Sequence, residues 1–316
     1  MSSINQHSDL HRNLDTPRLT PPLSYGQAKP FRKYFKERLP RMTQETEPET
    51  FLKLLPFSLE NAEAILKILE KKKLYDGESW PGLRVTDETQ PGKRKRELKE
   101  LELYEPFVEI AQTITKNREK YQRQRHLRGT WVHTHNRKPT SSNPDSDLVL
   151  IPDVCFVHGD PIPANPRKRG ESQRNNVSAI CVLFGHQNQL NWVWHLKVQD
   201  PCHWLQVFTM VKIKITDNIA LDQLSAYISQ IFMQCIDWLF AIVFMLSEHL
   251  FCMHLFDRSG VMSSVPFNIH KVSILNIHNE RRVIRHCQKP WLFVAAIASC
   301  SAVEPEYLGW DLSVQI

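Results

Sequence analysis

The sequence predicts an α+β fold, in which a small mixed β-sheet is flanked by helices and preceded by a disordered N-terminal tail. Three observations carry this. Apolar residues recur at helical spacing in several segments, short β-rich runs interleave with them, and residues 1–46 hold few large apolar side chains among many Pro, Ser, Thr, Gln and charged ones. The composition supplies a core, with hydrophobic residues at 41% of the 316.

The first helix follows the tail. Leu59, Ala62, Ile65, Leu66 and Leu69 fall on one face, Ser58 is placed to cap the N-terminus, and Lys71 to Lys73 suit the negative end of the dipole. A Gly/Pro/Asp-rich basic loop spans about Asp76 to Lys95. A second helix is expected from about Pro106 to Gln122, with Phe107, Ile110, Ala111 and Ile114 inward and Pro106 in its first turn.

β character follows. Thr130 to His135 alternates, and Ser146 to Val157 is strand-like with a Pro-Asp break. Ser178 to Phe184 and Trp204 to Thr216 are β-rich. In the last of these, Val211, Ile213 and Ile215 are expected on one face, with Lys212 and Lys214 on the other. Asn218 to Phe232 reads as a helix with Leu221, Leu224, Ile228 and Ile231 buried. Leu239 to Leu246 and Leu250 to Phe256 read as buried strands, and Pro290 to Val303 as a buried helix. The sheet is expected from strands near Leu148, Trp204, Leu239 and Leu250. The organisation is then a tail over 1–46, a helical segment with a basic loop over 47–128, and an α+β module over 129–316.

Candidate chemistry is sparse. Only 10 glycines occur, and they are scattered. Gly77 and Gly82 have the gap of a phosphate-binding loop, but Leu83-Arg84 stand where Lys-Ser/Thr is needed. Asp257-Arg258-Ser259-Gly260 combines turn-forming residues between two strands, so it reads as a turn and not as a catalytic loop. Cys202-His203 and His286-Cys287 lack zinc-site spacing. No catalytic, cofactor-binding or metal-binding residue is assigned, and no cofactor is expected.

The net charge is +6. Basic runs at Gly92 to Glu100 and Asn165 to Arg174 read as solvated loops, with weak nucleic-acid contact as the functional alternative. Other partners would be proteins of unknown kind. Ile231 to Met253 is interrupted by Gln234, Asp237, Ser247, Glu248 and His249, so no membrane span is expected. The 7 cysteines include no C-x-x-C, and the N-terminus is polar. Reduced thiols in an intracellular protein, cytoplasmic or nuclear, are the expectation.

Leu221 to Gln234, Phe256 to Lys271 and Phe293 to Asp311 together resemble the fungal-type protein kinase family of mushroom-forming fungi. "IPDVCFV" and "WLQVFTMVKIK" look like earlier strands of the same family. The resemblance covers roughly Thr130 to Asp311, and Phe256 to Lys271 with Gln223 to Tyr227 is its most specific part. It implies kinase ancestry and an ATP-binding core following the Leu308-Gly309-Trp310-Asp311 element. The chain itself holds no Gly-x-Gly, His-Arg-Asp or Asp-Phe-Gly. The expectation is therefore a kinase-like chain truncated before its core, a pseudoenzyme acting through binding or scaffolding. The alternative is the N-terminal fragment of an active protein kinase.

Where this chain has Lys212-Ile213-Lys214, the family resembles Glu-x-Lys. The order Pro-Asp … Glu-x-Lys is also similar to metal-dependent nucleases of the PD-(D/E)xK type. In that reading Asp153 would be the Asp and Lys214 the Lys, while Lys212 removes the second carboxylate. A nuclease-like fold that binds nucleic acid is therefore a second alternative.

Overall fold

The computed structural model describes residues 39, 41–55, 57–84, 100–118, 129–134, 139, 151–158, 204, 207–215, 221–234, 238–247, 249–270, 289–301 and 309. The expectations for Ser178 to Phe184, the run around Leu148, most of the basic loop over 76–95 and the second basic cluster lie outside these residues.

Thr43–Thr46 forms β1, Pro48–Leu52 α1 and Leu59–Lys71 α2. Ser58 caps α2, its hydroxyl accepting from the Asn61 N–H at 3.3 Å, and Ala62, Ile65 and Leu69 are buried. Leu59, placed by its spacing on the buried face, is exposed instead, because it sits at the first position beyond the cap. Pro81–Leu83 is a short 3-10 turn and Tyr104–Arg118 is α3. Phe107, Ile110, Ala111 and Ile114 all point inward from α3, as their spacing requires.

The sheet is built from Gly129–His133 (β2), Val154–His158 (β3), Val207–Lys214 (β4), Phe240–Ser247 (β5), Leu250–Asp257 (β6), Val261–Ser264 (β7) and Phe267–Asn268 (β8), together with β1. Leu221–Gln234 (α4) and Pro290–Ser301 (α5) complete the described elements. The strand order is β1-β7-β6-β5-β4-β3-β2, with β8 beside β6. β1 pairs parallel with β7 and β4 pairs parallel with β5, while the other pairs are antiparallel, so the sheet is mixed. A parallel pair needs a crossover, and α4 supplies it between β4 and β5. β5 and β6 are joined by a tight hairpin, which keeps their pairing in register from Ser247↔Leu250 to Phe240↔Asp257.

The sheet is larger than the four strands anticipated from the sequence. One addition, β1, lies inside the stretch expected to be tail. Thr-Gln-Glu-Thr has no apolar alternation, and only its pairing with β7 makes it a strand.

Helix α5 is buried along nearly its whole length. α2 and α3 pack against it. Phe293 of α5 meets Trp80, Phe107 and Phe251 edge-on, at centroid distances of 5.1, 6.0 and 5.1 Å. Phe251 belongs to β6, so these contacts tie the helical layer to one face of the sheet. One hydrophobic cluster runs through the N-terminal helices, the sheet and α5. Among the described residues, no helix is long and apolar enough to cross a membrane.

Candidate functional site

The polar residues that the sequence connected to nuclease-like chemistry do come together. Asp153 stands just before β3, and Lys212 lies near the end of β4. The Lys212 Nζ is 2.7 Å from Asp153 Oδ1, and the Ile213 N–H donates to Asp153 Oδ2 at 2.7 Å. Both side chains are buried, with Asp153 5% and Lys212 7% exposed. An ammonium and a carboxylate removed from water each need a close partner, and here each faces the other.

This corrects the expectation for β4. Alternation placed Lys212 on the polar side of a half-buried strand. The strand is buried from Val207 to Ile213 on both faces, so facing away from the apolar side chains does not mean facing solvent. Lys214 is the more accessible lysine, and its Nζ lies 3.5 Å from Glu100 Oε2. The two lysines share one face of β4, two residues apart, so Asp153 and Glu100 serve adjacent positions.

Tyr104, one turn after Glu100, closes the group. Burial, together with the Asp153 carboxylate to which its phenol is hydrogen-bonded, pushes its pKa far above the ordinary range. Tyr227 of α4 donates to the Ile151 carbonyl at 2.9 Å, two residues ahead of Asp153. Glu100 and Tyr104 escaped the sequence reading. Glu100 merely closes a basic run, and more than fifty residues separate it from Asp153.

The constellation has two carboxylates matched by two ammonium groups. A divalent ion would need several free oxygen ligands, and Lys212 already occupies Asp153. Among the described residues no group of three His, Cys, Asp or Glu is placed to hold a metal. The donor set therefore does not fit the two-carboxylate metal site of the nuclease reading.

The other singled-out motifs are turns. Asp257 Oδ1 accepts from the Ser259 N–H, the Ser259 hydroxyl and the Gly260 N–H at 2.7, 2.8 and 2.6 Å, which fixes the link between β6 and β7. Arg258 rests over the Phe232 ring at 5.1 Å. In the Gly77–Gly82 stretch, Asp76 Oδ1 accepts from the N–H groups of Glu78 and Ser79 at 2.9 and 2.6 Å. These hydrogen bonds lower the Asp76 pKa. Amides that a phosphate loop would offer to its ligand are turned on the chain's own carboxylate. Cys202-His203 and His286-Cys287 lie outside the described residues. Cys155, Cys252 and Cys300 are buried, and burial pushes the Cys252 thiol up to about 12, as inert structural thiols require.

Residues 186–315 match a family model described as Fungal protein kinase. No curated protein gives a significant match to the chain, and no solved structure does. The matched stretch takes in β4 to α5, the α4 crossover and the Asp257–Gly260 turn.

Proposed function

From the premise that residues 186–315 carry a fungal protein kinase family segment, we propose that this chain acts as a binding or scaffolding module and does not itself transfer phosphoryl groups. The single observation that carries the reading is the closed pairing of Asp153 with Lys212 at 2.7 Å. It leaves the polar cluster of the sheet neutral, internally satisfied and without an open metal-binding carboxylate. The sequence supports it further. Phosphoryl transfer depends on a Gly-rich loop, a phosphate-binding lysine, a catalytic Asp and Mg²⁺-binding side chains. The motifs that carry them do not occur in these 316 residues. In a kinase containing this module, sequence other than these residues would supply them.

The test is a phosphotransfer assay on the purified chain with labelled ATP and Mg²⁺, using itself and generic basic and acidic proteins as acceptors. No label above a no-protein control is expected. Time-dependent transfer that tracks chain concentration would make the enzyme reading correct. Mg²⁺-dependent cleavage of plasmid DNA, lost in Asp153→Ala, would instead support the nuclease-like alternative.

A further inference from the structure

The loop from Asp76 to Arg84 lies outside the family-matched stretch but is docked on it through Trp80. The Trp80 indole is fully buried, its Nε1–H donates to the Ile269 carbonyl at 2.9 Å, and its ring meets Phe293 of α5 edge-on at 5.1 Å. The Trp80 backbone N–H donates to His270 Nδ1 at 3.1 Å. That bond exists only while Nδ1 is unprotonated, because an imidazolium has two N–H donors and no acceptor. Protonation would set N–H against N–H and leave a buried backbone donor without a partner. Around the anchor, Asp76, Glu78, Pro81, Gly82 and Arg84 are exposed, so few of the loop's side chains hold it down.

The charges around His270 work in the same direction. The groups that act on its ring are Asp76 and Arg84 of the loop and His249 of the turn between β5 and β6. Arg84 and His249 oppose a positive ring. Asp76 favours one, but its carboxylate is already engaged by the N–H groups of Glu78 and Ser79, by the Ser79 hydroxyl and by the Arg84 guanidinium at 3.2 Å.

We propose that the Asp76–Arg84 loop is an acid-released latch, in which neutral His270 holds Trp80 against α5 and the chain after β8, and protonated His270 lets it go. Release bares the Phe293 ring edge and the Ile269 carbonyl, so the matched stretch presents a different surface in acid. The latch is independent of the scaffolding reading, because it concerns how the chain holds its own loop. Docked, the ring titrates near 4, through burial first and then His249 and Arg84. Freed, it returns to about 6.5. The released state therefore binds more protons below that value, and release is favoured about twentyfold more at pH 5 than at pH 7.

Hydrogen–deuterium exchange of the full chain, read by peptide mass spectrometry and corrected for the intrinsic pH dependence of exchange, tests this. Peptides covering 76–84 are expected to open more often than those of β5 at both pH values, and their opening should rise about twentyfold from pH 7 to pH 5. His270→Gln, whose amide oxygen can still accept from Trp80, should abolish the rise. His254→Gln, which alters only global unfolding, should leave it in place. The latch is overturned if the loop opens only as often as β5, if its opening ignores pH, or if the rise survives His270→Gln. Should His270→Gln not fold, the wild-type profile decides. One proton taken up per opening below about pH 6.5 is expected, and a flat profile there overturns the proposal.

Discussion

Lys212 and Asp153 form an ion pair at 2.7 Å, with less than a tenth of either side chain exposed. Breaking a buried pair from one side leaves a lone charge out of water. Lys212→Met is accordingly expected to lower the unfolding free energy by about 3–5 kcal/mol in urea titrations. Asp153→Leu/Lys212→Met is expected to recover most of the loss, because both desolvation penalties vanish together. Equal instability of single and double variants would show that the pair is not what the residues contribute.

Gly309 is held against the start of β5. Its carbonyl accepts from the Leu239 N–H at 2.7 Å, its φ is +108°, and a Cβ there would lie 1.9 Å from the Phe240 carbonyl oxygen. Gly77 also has a positive φ, +89°, but a Cβ would meet only the tip of Glu70 at 3.4 Å. Gly77→Ala is expected to cost about 1 kcal/mol through backbone strain alone. Gly309→Ala is expected to cost more, about 2–4 kcal/mol, because backbone must also move. Chemical denaturation of the two variants side by side checks the order.

Buried histidines give the fold a one-sided pH dependence. Burial lowers His254 to about 4, and the same cause, aided by His249 and Arg84, lowers His270 to about 4. Both rings are fixed by hydrogen bonds. His254 Nδ1 lies 2.8 Å from Ser263 Oγ, and His270 Nδ1 accepts from the Trp80 N–H at 3.1 Å. The folded values lie below the unfolded value near 6.5, so the unfolded chain binds more protons in that window. Stability is full above about pH 6.5 and falls as the pH drops toward 4. The free energy of unfolding, measured between pH 4 and 7.5, should rise with pH. His254→Gln should flatten that rise.

The Asp257 carboxylate organises the turn between β6 and β7. Asp257→Ala removes the acceptor of three hydrogen bonds and is expected to cost about 1–2 kcal/mol. Asp257→Asn, which keeps an oxygen acceptor, is expected to cost less. Calorimetric melting of both variants tests this.

Much of this architecture is legible in the sequence where burial is one-sided. Ser58 with the stripe Ala62, Ile65 and Leu69 marks α2 because a capped helix with a single buried face writes a period into the chain. The apolar runs of β5 and β6 were legible for a different reason, since strands covered on both faces need apolar residues throughout. That same burial hides Lys212, because alternation stops reporting exposure once both faces are covered. Thr43–Thr46 was illegible because a polar edge strand exists only through its partner. Of the cluster, Asp153, Lys212 and Lys214 were visible as residue types. Glu100 and Tyr104 join them only through the fold, which brings the start of α3 to the end of β4.

The central proposal, that this chain is a binding or scaffolding module without nucleotide chemistry of its own, is tested most directly by calorimetric titration of the purified chain with ATP and Mg²⁺. The account predicts no saturable heat and no shift of the melting midpoint at millimolar nucleotide. Saturable binding with a stoichiometry near one, abolished by substitution at a single site, would contradict it.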